Sequence, residues 1–302
     1  MSFSSTIALL SRAVLVAGTL AALAPVRPAL AADNGIPEVL KTIPRATGVC
    51  HKNDGPGGIL PTAANTPADL GCATSAAALQ QRPGALLVDV RQRSDYGSYH
   101  IDAALNASLG DLHGKPYWRA KPIVLVGSGK AERELYMECS RLKQQGYRDV
   151  AVLRGGLASW IAAGQPLAGH APSLAEATRL TPDEFWQESQ DPDNLVLLSK
   201  EQVALQDEVP FAMVLPRIVL ADVRAILERR RKDMKNAPLA AVVLAIDAAA
   251  PQGEVEALQR ALLPVPVLVY REGRSALTRQ VALQKAVWLA QARGPKQAAC
   301  GQ

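Results

Sequence analysis

Residues Ile123–Arg133 read Ile-Val-Leu-Val-Gly-Ser-Gly-Lys-Ala-Glu-Arg. An apolar run breaks into a glycine loop and then opens onto a helical pattern, which predicts a buried strand, a tight loop and a helix start. Such a junction aims backbone N–H groups and the positive end of a helix dipole at one point, favouring an anion or a thiolate there. No cysteine stands in the loop, so it brings no nucleophile of its own.

The neighbouring sequence supplies the rest of a sheet. Upstream, Ala85–Val90 is a continuous apolar segment ended by polar residues, the pattern of a strand buried on both faces. Downstream, a helix is predicted from about Ala131 to Gln145, with Leu135, Cys139 and Leu142 on one face by their spacing of four and three. That spacing reads Cys139 as a small buried hydrophobe rather than a reactive thiol. Gly146 suits the helix end, Val150–Leu153 is a further parallel-type strand, and Gly155-Gly156 turns into a helix carrying Leu157, Trp160 and Ile161. Alternation of this kind predicts an α/β fold, an open parallel sheet flanked by helices. Ligands of such sheets bind at the carboxyl ends of the strands, where Gly127–Lys130 lies.

Residues 169–180 have the composition of a linker. Thr181-Pro182-Asp183-Glu184 then starts a helix, with Thr181 as N-cap, Pro182 first in the helix and Glu184 in capping-box register. Strands near 194–198, 211–215, 240–246 and 265–270 alternate with helices near 218–232, 254–262 and 276–291, so residues 181–292 form a second α/β domain, followed by a tail, 293–302. Two halves of one class raise the possibility of a diverged duplication.

At the other end, residues 1–31 contain no acid and have Arg12 ahead of an apolar run, closing on Ala29-Leu30-Ala31. This predicts a signal peptide and an exported protein, periplasmic or secreted; contact with a membrane would come only through this segment if it stayed uncleaved. Residues 32–73, rich in Gly, Pro, Asn and Thr, read as an irregular arm. The composition, 48% hydrophobic and 20% charged, excludes a disordered or fibrous chain. Losing 1–31 removes two arginines and lowers the formal charge from +5 to +3, too little to name a partner. The basic run Arg229–Lys232 sits on an exposed helix end, so nucleic acid is not an expected partner.

An oxidising compartment permits disulfides, and Cys50, Cys72, Cys139 and Cys300 allow three complete pairings. Cys50 with Cys72 is preferred, because the two flank an aperiodic loop, 53–67, that gains from closure. The sequence has no CxxC, CxxCH or His-x-His spacing, so neither a metal nor a cofactor is expected.

Taken together, residues 74–168 resemble a rhodanese homology domain along nearly their whole length. Asp89-Val90-Arg91 with Asp95-Tyr96 resembles its strand-and-turn signature, His100–Asn106 its Gly-His-Ile-Pro-Gly-Ala-x-Asn segment, and Leu153-Arg154-Gly155-Gly156-Leu157 with Trp160 and Ala163–Leu167 its closing signature. In active members a cysteine ends the central strand and opens a loop Cys-x-x-Gly-x-Arg, whose N–H groups hold the thiolate and then the persulfide. The resemblance puts Gly127 where that cysteine belongs and Glu132 where the loop arginine belongs, with Arg133 a partial replacement. It implies a degenerate active-site loop, Gly127, Ser128, Gly129, Lys130, Ala131, Glu132 and Arg133, whose N–H concavity and cations could still take a small anion. It also implies structural roles for Asp89, Arg91, His100, Gly155, Gly156 and Trp160. The second half has no comparably firm signature and resembles either another degenerate rhodanese-like domain or a thioredoxin-like one.

The expectation is therefore a rhodanese-type pseudoenzyme, catalytically inactive, that binds or scaffolds a protein partner or a small anion. The alternative is a sulfurtransferase or thiol-redox enzyme using a displaced cysteine, Cys72 or Cys300.

Overall fold

In the computed structural model, residues 67–233 and 238–293 are described, with side chains to residue 290. The strands are β1 (Ala73–Thr74), β2 (Leu86–Asp89), β3 (Tyr99–His100), β4 (Leu105–Asn106), β5 (Pro122–Val126), β6 (Asp149–Leu153) and β7 (Ala168–Gly169), then β8 (Arg179–Leu180), β9 (Leu195–Ser199), β10 (Met213–Leu215), β11 (Val242–Ala245) and β12 (Val267–Tyr270). Two five-stranded parallel sheets result, ordered β1-β6-β5-β2-β4 and β10-β9-β11-β12-β8, while β3 pairs antiparallel with β7.

The apolar run before Gly127 is central because both of its faces are covered. Ile123 and Leu125 pack in one core with Leu135, Tyr136, Cys139 and Leu142 of the helix Arg133–Gln144. Val124 and Val126 pack in the other with Leu157 and Trp160 of the helix Gly156–Ala162. All four strand residues are fully buried, the two-residue period of a strand sorting them between opposite cores. In register, Asp89 lies beside Val126 and Leu125 beside Val152, which brings the ends of β2, β5 and β6 together around Gly127.

Residues 169–180 are not a linker. Ser173 and Glu176 form a capping box that starts the helix Leu174–Thr178, and Arg179–Leu180 pairs with β12 as the edge strand of the second sheet. The second half also resolves a choice the sequence left open. Taken in chain order, its strands occupy the same places as those of the first sheet, first-fifth-fourth-second-third, and all are parallel. It therefore repeats the architecture of the first half rather than taking a thioredoxin-like form. The helix start at Thr181 is as expected, with Thr181 and Glu184 capping one another reciprocally. No helix among the described residues is long and apolar enough to cross a membrane.

Candidate functional site

The loop after β5 is packed from three sides. Gly127 is buried, and a Cβ there would lie 2.8 Å from Leu135 Cδ1. The helix Gly156–Ala162 presses its first turn against the loop: Leu157 N–H donates to the Gly127 carbonyl at 3.0 Å and Ala158 N–H to that of Ser128 at 3.1 Å. Only glycine allows this approach at position 156, where φ is +45° and a Cβ would meet the Gly127 oxygen at 2.4 Å and the Gly129 nitrogen at 2.5 Å.

The third side comes from the second half. Glu188, on the helix Pro182–Gln190, accepts a hydrogen bond from the backbone N–H of Ala131. Lys130 Nζ is paired with Glu184 at 3.0 Å, and Arg133 reaches Asp191 at 3.0 Å and Asp193 at 3.2 Å. Every loop cation thus has a carboxylate from the second half. The anion at the Ala131 N–H is the protein's own, and Glu188 is held there by Asn194 Nδ2 at 2.8 Å. A cavity of about 200 Å³ beside it is bounded by Ala131, Arg133, Glu188 and Asp191.

Glu132 points inward instead of standing over the loop. Its Oε2 accepts from Gly155 N–H at 2.9 Å and the Tyr136 hydroxyl at 3.2 Å, while its buried Oε1 has no partner. Burial pushes its carboxyl up to about 7, opposed by the Gly155 and Tyr136 hydrogen bonds and reinforced by the nearby charge of Glu188. Burial also raises the Glu188 carboxyl, and it lowers the Arg154 guanidinium, which bonds across to the carbonyls of Leu239 and Ala240. The loop thus holds a buried acid directly beneath its backbone.

The other residues singled out in the sequence tie the sheet edge together. Asp89, fully buried, takes a two-pronged hydrogen bond from Arg91 at 3.0 and 2.7 Å; Arg91 also donates to the Tyr99 carbonyl and lies over its ring. Asn106 Nδ2 donates to the carbonyls of both Asp89 and Arg91. His100 Nδ1 bonds the Tyr96 carbonyl and its ring stacks on that of Tyr96, and Trp160 Nε1 donates to the Pro166 carbonyl.

The preferred pairing of Cys50 with Cys72 is overturned: Cys72 is joined to Cys139, with Cα atoms 6.6 Å apart. The two sulfurs meet because the 3₁₀ turn Leu70–Cys72 leads into β1 along the same core that the helix Arg133–Gln144 covers. Cys139 is buried as its spacing implied, but as half of a disulfide. Cys50 and Cys300 lie outside the described residues. Among the described residues, no three His, Cys, Asp or Glu side chains are grouped to hold a metal ion.

Sequence reasoning read Glu184 only as a helix cap and missed Glu188, Asp191 and Asp193. On a helix with an exposed polar face, nothing marks one acid as the one turned into a neighbouring loop.

A parallel sheet with its glycine loop at the carboxyl end of the central strand, and with the Asp89–Arg91 and Gly155-Gly156 elements around it, resembles a rhodanese-like domain. Residues 73–163 match the model of the rhodanese-like domain family. Among solved structures, the chain is 29% identical to the rhodanese-like domain of the Alr3790 protein from Anabaena sp., covering 32% of this chain and 79% of that one, with a TM-score of 0.29. It is 24% identical to the thiosulfate sulfurtransferase from Pseudomonas aeruginosa, covering 69% of this chain and 42% of that one, with a TM-score of 0.28. A rhodanese-related protein from Thermoplasma volcanium is 23% identical, covering 32% and 96%, with a TM-score of 0.28. No curated protein matches the chain.

Proposed function

We propose that this is an exported rhodanese-type pseudoenzyme with a binding or scaffolding role, in which sulfur transfer has been given up and the loop turned into a joint between the two halves. The observation that carries this is the content of the loop: Gly127 has no side chain to hold a persulfide, and Glu188 occupies the Ala131 N–H that would face an incoming anion. The Cys72–Cys139 disulfide supports the reading twice. It removes Cys72 as a displaced nucleophile, and it is the kind of bond that persists in an oxidising compartment.

The test is a thiosulfate:cyanide sulfurtransferase assay on the chain without residues 1–31. The expected rate equals the protein-free background, and Cys300→Ala leaves it unchanged. Turnover that disappears in Cys300→Ala would restore the displaced-cysteine enzyme.

Restoring the nucleophile is expected to restore nothing. In Gly127→Cys the new Cβ displaces the Leu135 methyl, at a cost of about 1 kcal/mol, so the variant folds. Its thiol still faces a loop carrying Glu132 for arginine and filled by Glu188, and no persulfide should accumulate on incubation with thiosulfate. Mass spectrometry of the intact chain checks this: a sulfur adduct on Gly127→Cys would show that the loop remains competent.

A further inference from the structure

The repeated strand order gives the second sheet its own carboxyl-end site, and there the structure is open. After β9, β10 and β11 lies a cavity of about 460 Å³, within the size range of small-molecule pockets. Its floor is aliphatic: Leu244, Ile246 and Leu258 are buried, and Ile218 and Val255 are half-buried.

Ser199, at the end of β9, is part of its lining. The mouth is polarised. Lys200 and Arg217 follow β9 and β10 on one side, with Glu201 only 3.8 Å from the Lys200 ammonium; Asp247 and Glu254 follow β11 on the other. An inorganic anion would gain from one side and lose to the other, and so would a simple cation. A molecule with both charges on an aliphatic body gains from both sides and from the floor.

We propose that this cavity binds a small aliphatic zwitterion of the α-amino-acid class, with its carboxylate toward Arg217, its ammonium toward Asp247 and Glu254, and its side chain on the Leu244, Ile246 and Leu258 floor. The site is separate from the plugged loop. Its test reads ligand binding and not sulfur transfer, so this inference and the pseudoenzyme reading can each fail alone.

Isothermal titration of the chain without residues 1–31 with four probes decides it: L-leucine, L-leucinamide, 4-methylpentanoate and inorganic phosphate. Leucine is expected to bind, with leucinamide and 4-methylpentanoate each weaker by about tenfold or more. Arg217→Ala should weaken leucine by a similar factor and leave leucinamide unchanged. Asp247→Asn with Glu254→Gln should do the converse, weakening leucine and leaving 4-methylpentanoate unchanged. These side chains are exposed, so the variants should fold, which their melting curves verify. Absence of leucine binding, equal binding of leucine and 4-methylpentanoate, tighter binding of phosphate, or unaltered leucine affinity in both variants would each overturn the proposal.

Discussion

Replacing Cys72 and Cys139 together by alanine is expected to lower the thermal midpoint by roughly 8–16 °C. The bond closes a loop of 67 residues in sequence separation, and loop-closure entropy puts its contribution at about 4 kcal/mol. A domain of this size loses about 2–4 °C per kcal/mol. The bond joins the turn entering edge strand β1, which pairs with the sheet through only two residues, to the long helix leaving the loop, so the edge should loosen first. Differential scanning calorimetry with and without reductant checks this. The parent should fall by a comparable amount under reduction, and the double variant should not respond. Coincident curves for parent and variant, or a non-reduced peptide map joining Cys50 to Cys72, would refute the assignment.

A second large effect concerns Glu132. Its folded-state carboxyl stands above its ordinary value of 4.5, at about 7. The folded chain therefore holds this proton more tightly than the unfolded chain. The sign follows: the group's stabilising contribution is complete below about pH 4.5 and is lost as pH rises through about 7, a change of about 3 kcal/mol across the window. The raised Glu188 carboxyl adds a dependence of the same sign. In Glu132→Gln, the amide oxygen can still accept from Gly155 and no charge has to be buried. Urea unfolding at pH 4.5, 6 and 8 should show the parent losing stability across the series, a flatter profile for the variant, and an advantage of about 1–3 kcal/mol to the variant at pH 8. Profiles that run parallel would mean that Glu132 does not titrate in this window.

What the sequence disclosed follows from the range of the forces involved. Strands β2, β5, β6, β9, β11 and β12 were legible because a strand covered on both faces is a nearly unbroken apolar run, and the glycine loop after β5 was legible because glycine is a local fact. The Thr181 cap was legible for the same reason, since donor and acceptor lie three residues apart. Pairing between distant segments left no such trace. The partner of Cys72 was set by which helix covers the β5 face, and the sequence could weigh only loop composition. Residues 169–180 looked like a linker because a two-residue edge strand such as β8 has no period to detect. Glu188, which fills the loop, is indistinguishable in sequence from the other acids of its helix. The second pocket needed the order of β9, β10 and β11 before Ser199, Arg217 and Asp247 could be seen as neighbours.

The plug of the first half by Glu188 also bears on how this chain can drift over evolutionary time. A loop locked by a side chain from the other half cannot change alone: a bulkier residue at position 131 would collide with Glu188, and a basic one at 132 would draw its carboxylate off the Ala131 N–H. Among descendants of this sequence, positions 131, 132 and 188 should therefore be exchanged as a set, while the rim of the open pocket is free to vary one residue at a time and so to acquire new ligands.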